Sequence, residues 1–325
     1  MNWYPWLNSY YKKLISCFQK KYKKNSLLLF SDYGVGSESI VYAIGRWLVC
    51  NNRNGVKSCK TCKNCYLSIS KTYPHWYNID GNSSYLNISY VRSLIGKLHF
   101  FSHNMNKVIC VYNTENVRES ILHILIKMID KLFVNTYFLF DSHNMNDLVS
   151  LVRSRSLFLS LKRPKKKFII SFLKRVKKKE VSSLDIKMAV DLYSGSPVYA
   201  FLFLERNKLK DRLRFFNILN EKILHRDVLS LYFELLKDTH EKVCWMISIL
   251  LDTVKFLCNI KDITNYDQTN LIKNLKNLSF SSLYKMICSL ISFKKEVALD
   301  FYKNQEVMIF DKLLLFNFLC FKEIF

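Results

Sequence analysis

Four thiols fall between positions 50 and 65, in the order Cys50-Asn-Asn-Arg-Asn-Gly-Val-Lys-Ser-Cys59-Lys-Thr-Cys62-Lys-Asn-Cys65. No other stretch constrains the fold as tightly. Two-residue gaps let successive sulfurs face a common centre, so Cys50, Cys59, Cys62 and Cys65 can close a tetrahedral site, with Zn2+ the preferred ion. Four protein ligands leave no open position, which makes the metal structural rather than catalytic. Gly55, Lys57, Ser58, Lys60 and Lys63 suit a tight, solvated knuckle whose lysines offset the thiolate charge. An iron–sulfur cluster is the chemical alternative, although Cys65 is followed by Tyr66 and not by the proline of the bacterial ferredoxin run. Four free cysteines is the plainer one. The other six, Cys17, Cys110, Cys244, Cys258, Cys288 and Cys320, are scattered among apolar residues, where a free thiol behaves as a small hydrophobe. The start Met1-Asn-Trp-Tyr-Pro-Trp-Leu lacks the basic and then apolar pattern of a secretion signal, so disulfides are not expected.

Upstream stands Ser31-Asp-Tyr-Gly34-Val-Gly36-Ser37-Glu38, between the apolar run Ser26-Leu-Leu-Leu-Phe30 and helical apolar spacing from Glu38 to Val49. Strand, glycine turn, helix is the start of a nucleotide-binding α/β domain. A working phosphate loop places a lysine on the β- and γ-phosphates and a Ser or Thr on Mg2+. Here the two positions after Gly36 are Ser37 and Glu38, and a carboxylate repels a triphosphate where a cation is required. After the hydrophobic strand at 107–111, Tyr112-Asn113 stands where a Mg2+-holding acidic pair belongs. Gly34, Gly36, Ser37 and Glu38 therefore read as a degenerate phosphate loop, with no ATP bound or hydrolysed at the chain's own site.

The 325 residues, half of them hydrophobic, can bury a large core and form two or three domains. A helix is predicted over 10–24, ending in the basic run Lys20 to Lys24, and a helical turn over 66–73, stopped by Pro74. Strands at 76–79, 107–112, 135–140 and 156–161 alternate with helices at 90–98 (Ser89 as N-cap), 116–131 and 144–151. That alternation predicts a mostly parallel sheet covered by helices. After Pro164 the strand signal ends. Helices are predicted over 167–178, 185–193 and 198–206, the second stopped by Ser194-Gly195-Ser196-Pro197. Asn207 to Arg212 reads as a charged connector. Helical segments follow around 213–224, 227–237, 240–258, 268–278, 282–301 and 306–322, with no internal repeat. The expected domains are 1–164, 165–207 and 208–325. Val307 to Phe321, the most apolar stretch, is interrupted by Asp311, Lys312 and Asn317, so it predicts a buried helix and no membrane span.

The formal net charge of +24 invites a nucleic-acid partner, and lysines spread over solvated faces explain it equally well. The densest runs, Arg163-Pro-Lys165-Lys-Lys167 and Lys174 to Lys179, fit a linker and an exposed helix face as readily as a phosphate track. Val152-Arg153-Ser154-Arg155-Ser156 lies between a predicted helix and strand, where a lone arginine is usually just solvated.

Together these features resemble the delta-prime family of bacterial DNA polymerase III clamp-loader subunits, within the AAA+ proteins. The resemblance spans essentially the whole chain. It is carried by Trp3-Tyr4-Pro5-Trp6-Leu7, the Gly34-x-Gly36 loop without lysine, the four clustered cysteines, Ser154-Arg155-Ser156, Gly195-Ser196-Pro197 and Asp311-Lys-Leu-Leu-Leu315. It implies an AAA+ α/β domain, a small helical lid and an all-helical collar that joins a hetero-pentameric ring. It implies a structural zinc on Cys50, Cys59, Cys62 and Cys65, and Arg155 as an arginine finger acting in trans on a neighbour's ATP. The implied partners are the loader ATPase subunits, the delta subunit and, through the complex, the sliding clamp and primer-template DNA. The implied setting is cytoplasmic, in a polymerase holoenzyme whose catalysis this chain does not itself perform. The alternative is a stand-alone zinc-stabilised, basic nucleic-acid-binding protein. Two departures stand out: Ser156 replaces the family's cysteine, and Lys127 to Phe133 lacks its paired prolines.

Overall fold

The computed structural model describes residues 3–20, 24–83, 86–100, 105–131, 133–176, 181–260, 262–299 and 304–321. Parts of the predicted basic runs at 20–24 and 174–179, and position 132 in the segment without prolines, lie outside these residues. The chain divides into two compact units, Met1–Pro164 with Ser196–Val198, and Lys165–Gly195 with Tyr199–Phe325.

The first unit holds α1 (Asn8–Gln19), β1 (Ser26–Ser31), α2 (Ser37–Val49), α3 (Lys63–Ile69), β2 (Trp76–Asp80), α4 (Ile88–Phe100), β3 (Lys107–Tyr112), α5 (Glu119–Asp130), β4 (Thr136–Ser142), α6 (Asp147–Arg155) and β5 (Leu157–Leu161). The five strands form one parallel sheet in the order β2-β3-β4-β1-β5. Parallel strands must be joined by crossovers, and the helices of those crossovers cover the faces. This explains why Leu27, Leu28 and Leu29 follow one another without a polar break: all three have no exposed surface. On one side of the sheet Ile79, Ile109, Val111, Phe138 and Phe140 pack with Ile121, Leu122 and Leu125 of α5 and Val91 and Leu94 of α4. This is the covered parallel sheet expected of an AAA+ α/β domain.

The second unit is helical throughout its described residues: α7 (Lys166–Val176), α8 (Ser183–Leu192), the greater part of α9 (Pro197–Glu205), α10 (Lys208–Leu224), α11 (Tyr232–Leu235), α12 (Thr239–Leu257), α13 (Thr269–Leu275), α14 (Phe280–Leu299) and α15 (Gln305–Phe321). Its interior contains a polar cluster as well as apolar packing. Arg212, fully buried, donates through Nη1 to Asp267 at 2.7 Å and through Nη2 to Asn265. The Asn265 amide and side chain in turn donate to Asp252, each at 2.7 Å.

Several boundaries differ from the sequence expectation for physical reasons. Asn87, not Ser89, caps α4, because its side chain accepts the Tyr90 N–H at 2.8 Å. The supposed charged connector 207–212 is the first turn of α10, entered through Asn207 at φ 57°. The segment 227–237 is a 3-10 turn over Val228–Leu231 followed by the single turn of α11. Cys258 and Cys288 are exposed, against the apolar role expected of them. α15 buries only one face (Ile309, Leu313, Phe316, Leu319), leaving Val307, Phe310, Leu314 and Phe318 exposed. Among the described residues, no helix is long and apolar enough to cross a membrane.

Gly81 follows β2 at a point where another backbone comes close. A Cβ there would lie 2.2 Å from the Asn113 carbonyl oxygen and 3.0 Å from the Val117 nitrogen, and its own N–H donates to Tyr112 at 3.0 Å. Gly81→Ala is expected to destabilise the protein by about 1–3 kcal/mol, the usual cost of overpacking. Urea unfolding should show a lower midpoint with an unchanged slope.

Candidate functional site

The thiol knuckle is attached to the sheet domain by hydrogen bonds to its neighbours. The Trp47 indole donates to the Gly55 carbonyl at 3.0 Å, the Tyr11 hydroxyl to Val56 at 2.9 Å, and the Asn64 amide to Val49 at 3.0 Å. Asn54 and Lys57 exchange two backbone hydrogen bonds that close the turn between Cys50 and Cys59. Cys62 caps α3, and Cys65 lies in its first turn.

The result is a compact tetrad. All four Sγ atoms lie within 4.8 Å of one another, with Cys50–Cys59 at 3.5 Å and Cys59–Cys65 at 3.8 Å. A tetrahedral ion with thiolates at about 2.3 Å requires S–S edges of about 3.8 Å. Backbone N–H groups of Cys59, Cys62 and Cys65 donate to the sulfurs of Cys50, Cys59 and Cys62 at 3.3–3.4 Å, which orients them and favours the thiolate form. Hydrogen bonds from the Cys62 and Thr61 amides lower the Cys59 thiol to about 5. At Cys62 burial opposes ionisation, but the amides of Cys65 and Asn51 outweigh it. Burial raises Cys50 and pushes Cys65 up to about 12. These last two thiols need an adjacent cation to ionise, so the donor set fits a bound metal ion.

The glycine loop is bonded from inside the protein. Gly36 sits at φ 102°, and a Cβ added there would meet the Tyr4 ring at 3.1 Å. The Trp6 indole donates to the Val35 carbonyl at 2.8 Å. The Ser196 hydroxyl donates to the Tyr33 carbonyl at 3.1 Å and the Val198 N–H to the Gly34 carbonyl at 3.0 Å. The opening aromatics and the Ser196-Pro197 step, far apart in sequence, both seat this loop. Ser37 is buried behind it, and Glu38 lies in the first turn of α2.

The strand ends below the loop carry acids that sequence reasoning missed. Glu115, on a 3-10 turn after β3, accepts from the Tyr33 hydroxyl at 3.1 Å, the Ser142 hydroxyl at 2.9 Å and the His143 amide at 3.2 Å. Asp141 is fully buried in β4, with His143 Nε2 at 3.6 Å. Burial pushes its carboxyl up to about 6, against the pull of His143. Glu115 and Asp141 face inward partners, and no sequence spacing marks them, because β3 and β4 are brought together only in the sheet.

Arg155 lies at the opposite end of β1. It closes the last turn of α6, so the supposed loop is helical up to the residue itself. Its carbonyl accepts from the Ser26 hydroxyl at 2.9 Å, and Lys24 reaches the Ser154 carbonyl at 3.2 Å. The half-exposed guanidinium is held by Asp130, Nε to both oxygens at 3.0 and 3.1 Å, and by Nη1 to the Leu151 carbonyl at 3.3 Å. Arg153 instead stacks 4.3 Å from the Phe158 ring centroid. Ser156 is buried.

A family model described as "DNA polymerase III, delta subunit" matches residues 6–165, and one described as "DNA polymerase III, delta subunit, C terminal" matches 206–317. DNA polymerase III subunit delta' of Yersinia pestis is 29% identical over 97% of this chain and 95% of its own length. This chain belongs to the delta-prime family. The Escherichia coli delta' subunit is 26% identical over 97% of this chain and 95% of its own length. Among solved structures, a DNA polymerase III gamma subunit-related protein from Thermotoga maritima aligns at TM-score 0.47 and 12% identity, covering 96% of this chain and 99% of that one.

The tetrad yields a direct test. The purified chain should contain about one metal ion per molecule, and Cys59→Ser should lose it, as read by elemental analysis and a thiol-chelator release assay.

Proposed function

We propose that this chain is a non-ATP-binding subunit of the bacterial replicative clamp loader, and that its residue for function is Arg155, offered to ATP on a neighbouring ATPase subunit. The observation that carries this reading is the placement of Arg155 at the start of β1 while the glycine loop lies at its end. Six residues of strand separate them by about 17 Å, so this guanidinium cannot serve its own loop. A guanidinium set against a γ-phosphate stabilises the charge that develops in phosphoryl transfer. In the free chain it is paired with Asp130 and with the Leu151 carbonyl of its own helix, contacts it would exchange for the phosphate on assembly.

The degenerate loop supports the absence of ATP at the chain's own site. No lysine follows Gly36, and Glu38 adds a negative charge. The tetrad is read as structural Zn2+, since four thiolates in tetrahedral spacing suit that ion and leave no site for a substrate. Residues 165–207 are read as the lid and 208–325 as the collar. The exposed apolar face of α15, with Val307, Phe310, Leu314 and Phe318, supports a subunit-packing role for the collar. The partners are the loader ATPase subunits and the delta subunit in a five-membered ring, acting on the sliding clamp and primed DNA in the cytoplasm.

Reconstitution with the partner ATPase subunits tests the finger. Arg155→Ala should leave assembly intact and reduce turnover at the facing ATP site by about 10³-fold, the lower range for an arginine finger. An unchanged DNA- and clamp-stimulated rate would sink the assignment. Failure of the wild-type chain to assemble would point instead to the stand-alone nucleic-acid-binding protein that the charge of +24 suggests. Separately, filter binding of MgATP to the isolated chain should show no micromolar affinity.

A further inference from the structure

The helix that ends on Arg155 stops without a closing motif of its own. α6 gives way to β5 across Ser156 alone, which is extended at φ −109° and ψ 160°, so no left-handed residue closes the turn. The Ser156 hydroxyl is buried with no hydrogen-bond partner, and its N–H donates to the Arg153 carbonyl at 3.3 Å. The last four carbonyls of a helix have no partner within it, and here they include those of Ser154 and Arg155.

The missing donors come from the entry of β1. The Ser26 hydroxyl donates to the Arg155 carbonyl at 2.9 Å. Lys24 Nζ donates to the carbonyls on either side, Ser154 at 3.2 Å and Ser156 at 3.4 Å. Three successive carbonyls centred on Arg155 are thus held by two side chains that lie 129 to 132 positions away in sequence. An ammonium here also meets the negative end of the α6 dipole. The holding segment is itself fixed. The Asn25 carbonyl accepts the Phe138 N–H at 2.9 Å, Ser26 is buried, and Leu27 is in register with Leu157 of β5.

The side chain of Arg155 is held less firmly. A cavity of about 200 Å3 opens beside it, with Lys24, Ser26, Asp130 and Phe138 in its lining. The guanidinium is half-exposed, and its ion pair with Asp130 is of the surface kind that solvent weakens. The backbone of Arg155 is pinned, while its guanidinium has open space beside it.

We propose that Lys24 and Ser26 are positioning residues for Arg155, holding its backbone so that the guanidinium reaches a phosphate from a fixed base. The inference rests on the reading of Arg155 as the residue offered to a neighbour's ATP. With one residue between helix and strand, slack at Ser154–Ser156 moves the Arg155 Cα directly. A misplacement of about 1 Å is enough to cost about 10²-fold in rate. Neither Lys24 nor Ser26 is a catalytic residue; both act through Arg155.

The test is ATP turnover by the reconstituted loader, with DNA and clamp present and only the ATP site facing this chain left active. Ser26→Ala and Lys24→Met should each lower kcat by about tenfold with KM for ATP unchanged, as for a contact made only in the transition state. Lys24→Arg should restore most of the rate, because a guanidinium also donates to both carbonyls. Added to Arg155→Ala, neither change should slow turnover further, since residues that act through one group are not additive. Wild-type rates in Ser26→Ala and Lys24→Met, with Arg155→Ala slow, overturn the positioning role and leave the finger standing. Equal losses in both backgrounds overturn it too, as does a loss of assembly alone, read by gel filtration, because either marks a purely structural role. A wild-type rate in Arg155→Ala overturns the finger and the positioning role together. If the buried Ser26→Ala fails to fold, the two variants at the exposed Lys24 decide.

Discussion

The hydrogen-bond ladder that fixes β1 between β4 and β5 is the constraint on which the rest of the first unit depends. Ser26 to Phe30 pair with Phe138 to Ser142 on one side, and Leu27 to Ser31 with Leu157 to Leu161 on the other. A strand paired on both edges and buried on both faces cannot slip, because any shift would break both ladders. One end of β1 delivers the glycine loop, and the other holds the Arg155 carbonyl through Ser26. A rigid rod about 17 Å long therefore separates the glycine loop from Arg155, whose guanidinium is paired with Asp130.

At the loop end, protein groups have taken over backbone positions. Trp6, Ser196 and Val198 bond three successive carbonyls, and Tyr4 fills the space beside Gly36. The acids beneath follow the same logic. Glu115 spends its oxygens on Tyr33, Ser142 and His143, while Asp141 is buried deeply enough that its carboxyl titrates near 6. The thiol knuckle is a separate local solution. Amide hydrogen bonds and burial pull its four thiols in opposite directions, a conflict that a metal ion held at their centre would resolve.

Much of this was legible in the chain because the relevant signals are local. Continuous apolar runs mark strands covered on both faces, as Leu27 to Leu29 and Val108 to Val111 show. Cysteines at two-residue spacing can converge on a shared centre. Residues whose roles depend on distant partners were misread. Arg212 looked like part of a charged connector and is fully buried in the helical unit, because Asp267 and Asn265 arrive from more than fifty positions away. Asn87 is the cap because it immediately precedes α4 and accepts the Tyr90 N–H, whereas Ser89 lies inside the helix and donates to the Asn87 side chain.

By itself the sequence determined the alternation of strand and helix, the cysteine tetrad, the missing lysine after Gly36 and the family to which these belong. All are short-range patterns, set by residue type and spacing. Only the tertiary structure decided that Arg155 stands at the far end of β1 from the loop and leans on Asp130. It alone decided that Asp141 is sealed beside His143. Those facts depend on which strands become neighbours in a parallel sheet, and crossover connections leave strand order free until the whole domain packs.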